Sequence, residues 1–180
     1  GVLMILFIGV VALFGGKQGI RGLLSLAASL LFIVFLLLPG VLHGYPPALV
    51  SIAVVSAIVI IGSYLTHGFN KMTSIAVVGM IATVMMTGVL AYIAINATNL
   101  TGFTDDAATY LNLNTRGQID FAGLLLGAIL IGLLGVLYDA AIGQSVAVEE
   151  LTSAAPELSR REIYRRGLRI GREHIGALVN

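Results

Sequence analysis

The chain has 180 residues, of which 58% are hydrophobic and 11% charged, with a formal net charge of +1, no Cys and no Trp. A water-soluble domain of this length cannot hide so much apolar surface, and without Cys neither disulfides nor thiolate metal sites are available. The charge total itself says little, because the cations are placed unevenly along the chain.

In chain order, the first apolar run covers residues 1–14, shorter than the roughly 20 residues that a spanning helix needs. Because it starts on Gly1 inside the run, it reads as the end of a longer helix, and the chain as a segment of a longer protein. A glycine-rich connector at 15–22, carrying Lys17 and Arg21, is expected to break the helix. The second span lies near 23–42 and ends around Pro39, and a turn through Pro46 and Pro47 leads to a third near 48–65. After a connector with Lys71, the fourth span lies near 74–95. A polar loop at 96–120 follows, with Asp105, Asp106 and Arg116. The fifth span covers about 121–146, a basic segment 149–173, and 174–180 is expected to start a further transmembrane helix.

Nine of the ten Lys and Arg residues fall in alternate connectors. Cations near helix ends stay on the cytoplasmic side, so 15–22, 66–72 and 149–173 are assigned inside, and 43–47 and 96–120 outside. The fold class expected is therefore all-α. It is a polytopic transmembrane bundle over residues 1–148 with about five spans, the start of a sixth, and an amphipathic basic helix on the cytoplasmic side. Runs this long exceed the strands of about 10 residues that build membrane barrels.

In the basic segment, Ser159 followed by Glu162 matches a capping box, which predicts a helix starting at Arg160. Arg161, Arg165, Arg169 and Arg172 then share one face, suited to anionic lipid head groups at the membrane surface. The competing reading is a solvated face that only fixes topology.

Asp139 is the only acidic residue inside an apolar run. A charge at mid-bilayer costs about 2.5–3.5 kcal/mol on insertion scales, so the carboxylate must face protein or water. Steps of three and four residues place Ala128, Gly132, Gly135 and Gly143 on the same stripe, expected to seat a neighbouring helix closely. Burial there favours the protonated carboxyl, as a proton-coupling group requires. Alternatively Asp139 lies near the cytoplasmic boundary and pairs with Arg169 or Arg172. On the fourth span Gly79, Thr83, Thr87 and Ala91 form a similar stripe, expected either to pack against the fifth span or to bond its own backbone. His43, His67 and His174 lie in separate connectors with no ligand spacing, so neither a metal nor another cofactor is expected.

Several stretches together resemble the YibE/F-like family of bacterial multi-pass membrane proteins: 16–26 with Gly16-Lys17-Gln18-Gly19, His67-Gly68-Phe69-Asn70-Lys71, 100–107 with Asp105-Asp106, 132–141 with Gly135 and Tyr138-Asp139, and 167–173 with Gly171-Arg172-Glu173. The resemblance implies membrane class and a place in the bacterial cytoplasmic (plasma) membrane. A looser likeness of pattern links Gly135, Asp139 and the basic segment to the SecD/SecF and RND permease core, where an Asp on a glycine-rich helix belongs to a proton relay. The function expected is a permease or proton-coupled translocation component of unassigned substrate, with no enzymatic activity. The alternative is a non-transporting anchor or scaffold for a soluble domain outside these residues. Expected partners are a bilayer with anionic lipids and either a second copy or another membrane subunit, with no nucleic acid.

Overall fold

The fold is taken from a computed structural model that describes residues 1–102, 106–114, 117 and 119–179, without the side chains at 106, 107, 111 and 177–179. Asp105 and Arg116 of the polar loop at 96–120 lie outside the described residues, as does the side chain of Asp106. Among the described residues the regular structure is entirely helical. Four helical stretches are long and apolar enough to cross a membrane: Val2–Leu42, Pro47–His67, Lys71–Thr98 and Phe121–Ala154. Their outer faces stay apolar, with Leu13 83% and Phe14 89% exposed. Such surfaces need hydrocarbon rather than water as solvent. The chain is a membrane protein.

Helix α1, Val2–Phe32, joins the first two apolar runs. The eight-residue connector expected at 15–22 is instead a bend at one residue, Gly16, whose φ of 53° and ψ of −137° are open only to glycine. A side chain at Gly19 would collide with the backbone carbonyl of Val11. In a straight helix, residues eight apart stand about 12 Å from each other, so the two arms fold back on each other at the bend. The second arm passes through a π-helical turn, Ile33–Leu37, into the short α2, Leu38–Leu42. Pro39 explains the turn: it has no N–H for the Phe35 carbonyl, and its ring crowds that position, so the helix widens just before it.

Helix α3, Pro47–His67, starts with Pro at its first position and ends at Gly68, whose φ is 78°. Helix α4, Lys71–Thr98, begins three residues earlier than the apolar run suggests, because the Asn70 side chain accepts a 2.7 Å bond from the Thr73 N–H and so caps it. Within the loop read as irregular lies a short helix, α5, Asp106–Asn114, and Ala108 packs near Val41, Ile119 and Phe121. Helix α6, Phe121–Ala154, is capped by Asp120, which accepts from the Gly123 N–H at 3.0 Å. It runs past the expected end near 146. Helix α7, Arg160–Val179, starts where the capping box places it and continues unbroken through 174, so the expected boundary there is not a change of element.

The core is the α3–α4–α6 contact. Val55, Val84, Leu126 and Leu130 form the half farther from Lys71, and Val59, Ala76, Val77, Met80 and Ile142 the half nearer it. On α4 the buried face is Thr73, Ala76, Val77, Met80, Val84 and Gly88. The Gly79–Ala91 stripe joins that face only at one end: Ala91 packs against the cluster of Val55, Leu126 and Leu130, whereas nothing approaches Gly79 and the Thr83 hydroxyl donates to the Gly79 carbonyl at 2.9 Å.

Candidate functional site

Helices α3 and α6 run parallel. A Cβ at Gly123 would stand 3.3 Å from Pro47 Cβ, and one at Gly127 would collide with Ser51 Oγ. At the other end, Tyr138 Oη and His67 Nδ1 share a 3.1 Å hydrogen bond. The second arm of α1 runs antiparallel to α3, with Gly40 against Val50 and Gly62 against Ser25. The 21 residues of α3 span about 31 Å at about 1.5 Å per residue, close to the hydrocarbon thickness of about 30 Å. Helix α3 therefore serves as a ruler, and Asp139 lies level with its last turn.

Between the second arm of α1, α3 and α6 opens a cavity of about 420 Å³. Its wall near Lys71 is polar: Ser25, Ser29, Thr66, Tyr138 and Asp139, with Gly22, Gly62 and Gly135 making room. Its floor is Ile33, Ile58 and Ile131, and Ile58 is the twelfth of the 21 residues of α3. The cavity thus reaches from the boundary level to about the middle of the span. Beyond the floor, Val54, Ile58 and Leu37 pack together, and the Ser51–Gly127 crossing lies further along α3. One acid and four hydroxyls line a space without a basic side chain. That chemistry suits a proton or a small cation rather than an anion.

A family model described as YibE/F-like protein matches residues 3–180. The chain belongs to the YibE/F-like family. No curated protein and no solved structure matches it, and the likeness to the SecD/SecF core stays one of sequence pattern.

In this YibE/F-like chain the stripe expected to seat a neighbour does not do so. A Cβ at Gly132, Gly135 or Gly143 would meet nothing within 4 Å, and Ala128 is exposed. The close approach is made instead by Gly123 and Gly127, more than 100° around α6 at about 100° per residue. Gly135 lines the cavity, so on that side its missing side chain makes space rather than contact. Arg169 and Arg172 line a different cavity with Arg165 and Arg166, and among the described residues neither is joined to Asp139.

Sequence spacing missed His67. It lies in a connector by composition, and its partner Tyr138 is 71 positions away. The structure brings it beside Thr66 and Tyr138, both on the cavity wall. The basic α7 is held to α6: Gln144 Nε2 donates to the Gly167 carbonyl at 2.7 Å, and a Cβ at Gly167 would stand 3.1 Å from Val148. Gly171 faces the same Gln144 side chain, so α7 runs back antiparallel along α6. Outside the apolar spans, the Glu162 carboxyl is held below its ordinary range, first by the Ser159 hydroxyl hydrogen bond and then by the Ser159 N–H.

Proposed function

We propose that this YibE/F-like protein is the membrane core of a proton-coupled permease of the bacterial cytoplasmic membrane, with its basic connectors on the cytoplasmic side and each arm of α1 inserted separately. In this reading Asp139 is the titrating group at the mouth of a vestibule open toward the cytoplasm. The observation that carries it is the cavity: the only acid of the apolar runs lines it, together with Ser25, Ser29, Thr66 and Tyr138.

The physical logic is differential. An ionised Asp139 draws water and cations into the vestibule, whereas a protonated one lets α6 lie closer to the second arm of α1, since Gly135 and Gly22 leave room between them. Protonation then biases two packings of the same helices, which is what coupling requires. His67 and Tyr138 extend the polar cluster by one hydrogen bond and offer the proton a second station.

The test is proton flux into proteoliposomes, followed with an entrapped pH dye under an imposed potential, for the native chain, Asp139→Asn and Asp139→Glu. Expected is a loss of about 100-fold or more in the Asn variant, the scale of losing a positioned proton carrier, with partial recovery in the Glu variant and normal insertion of both. Flux unchanged in Asp139→Asn sinks the reading. If in addition biological activity survives replacement of α1, α3 and α6 by unrelated apolar helices, the chain is an anchor.

A further inference from the structure

The α6–α7 hairpin assigns a depth to each arginine. Gln144 lies opposite both Gly167 and Gly171, and Val148 opposite Gly167. By that register Arg172 is level with residue 143, Arg169 with 146, Arg165 with 150 and Arg161 with 154. Measured from Asp139, at the hydrocarbon edge given by α3, these levels lie about 6, 10, 16 and 22 Å outward at about 1.5 Å per residue. The head-group layer of a bilayer extends about 5–8 Å beyond the hydrocarbon on each side. Arg172 therefore stands within the head-group layer, Arg169 just beyond it but within reach of a long side chain turned back toward the membrane, Arg165 further out, and Arg161 well into water.

The side chains agree with the register. Gly167 and Gly171 seat α7 on α6, while Arg165, Arg169 and Arg172 project from the far side and are exposed. Arg165, Arg166, Arg169 and Arg172 border one cavity of about 500 Å³ together with Leu168, and Arg161 does not reach it. Of the nearby acids, Glu162 is tied to Ser159, and Glu149 lines a separate cavity with Lys71. Glu173, four residues after Arg169, offsets one cation and leaves the arginines in excess.

We infer that Arg169 and Arg172 hold the phosphate groups of anionic phospholipids in the leaflet at this end of the bundle, with Arg165 assisting from behind and Arg161 taking no part. Guanidinium donors match phosphate oxygens in fork geometry, and Ile175, level with residue 140 in the same register, lies beside Arg172 toward the acyl chains. The inference rests on the membrane reading with α3 as ruler and does not involve Asp139, so its failure and that of the proton-coupling reading are separate.

Because the chain has no Trp, Ile175→Trp creates a single fluorescent reporter at the hydrocarbon edge, one turn from Arg172. The full chain carrying that reporter is reconstituted with acyl-brominated phosphatidylglycerol or phosphatidylcholine, and quenching gives the relative binding of the two lipids. Expected is a preference for phosphatidylglycerol that falls about fivefold for each of Arg169→Gln and Arg172→Gln, the scale of one cation near an anionic surface. Arg161→Gln leaves the preference unchanged. Equal quenching by both lipids in the parent, or an equal loss with Arg161→Gln, overturns the inference. So does displacement of the preference by inorganic phosphate at matched ionic strength, which would make free phosphate the ligand.

Discussion

The same two helices, α3 and α6, meet in opposite ways at their two ends. At the end away from Lys71, Pro47 and Ser51 lie against Gly123 and Gly127 with no room for a side chain. At the end near Lys71, Gly135 faces open space, and Thr66 and Asp139 border a cavity shared with α1. Glycine is abundant at both ends, so composition does not set the difference. What differs is the third helix: toward the closed end the second arm of α1 continues into Leu37 and Val41, which pack with Ile131 and Phe121 of α6, whereas at the open end it meets α3 at Ser25 and Gly62 and faces α6 across the cavity. Closed packing at one end and a polar opening at the other make a one-sided vestibule.

The largest effect expected is at the open end. Asp139→Asn should lower proton flux by about 100-fold or more while the melting temperature in detergent stays near that of the native chain. A large drop in melting temperature would instead make Asp139 a structural residue. At the closed end the order reverses. Gly127→Leu should cost about 1–3 kcal/mol by overpacking against Ser51, read as lower thermal stability in micelles. Gly135→Ala, facing open space, should stay within about 0.5 kcal/mol. Equal costs for the two glycine substitutions would remove the contrast between the ends.

Two smaller effects sharpen it. Ser159→Ala should weaken the start of α7 by about 1 kcal/mol, seen as faster amide hydrogen exchange over residues 160–163. Glu162 titrates with it. Because the folded carboxyl is held below its ordinary value, the stability that it gives is fully present above the unfolded value. That stability is lost as pH falls through the lowered folded value. Protection at the α7 start, taken relative to the intrinsic exchange rate at each pH, should therefore fall on acidification in the native chain and lose that pH dependence in Glu162→Gln. At the closed end, Ser51 Oγ is fully buried with no hydrogen-bond partner among the described residues. Ser51→Ala should accordingly be neutral or raise stability by up to about 1 kcal/mol. A loss of more than that would mean that the hydroxyl has a partner in the membrane.

Local chemistry was legible at some helix ends and not at others. Ser159 with Glu162 sets the start of α7, and Pro46-Pro47 the turn before α3, whereas the Asn70 cap of α4 and the Asp120 cap of α6 are single side chains that composition does not single out. The break in α1 was legible as well, because glycines cluster there, but not its form: whether glycines make a loop or a one-residue bend depends on how the arms pack, as Gly19 on Val11 shows. Contact partners were the harder matter. Helix α6 carries glycine on two faces, and one-dimensional spacing favours 132, 135 and 143 as readily as 123 and 127. Only the placement of α3 chooses between them. Asp139 stood out from its solitude in an apolar run, whereas His67 did not, since its bond to Tyr138 joins positions far apart in the chain.

Helix α6 is 34 residues long, a continuous rod of about 51 Å, and it overhangs the level of Asp139 by about 22 Å. A tilt of roughly 10° pivoting at that level would swing its free tip by about 4 Å, and α7, clipped on through Gln144, would travel with it. If Asp139 couples protons as proposed, the rod would act as a lever that carries a change at one carboxyl out to the surface beyond the head groups.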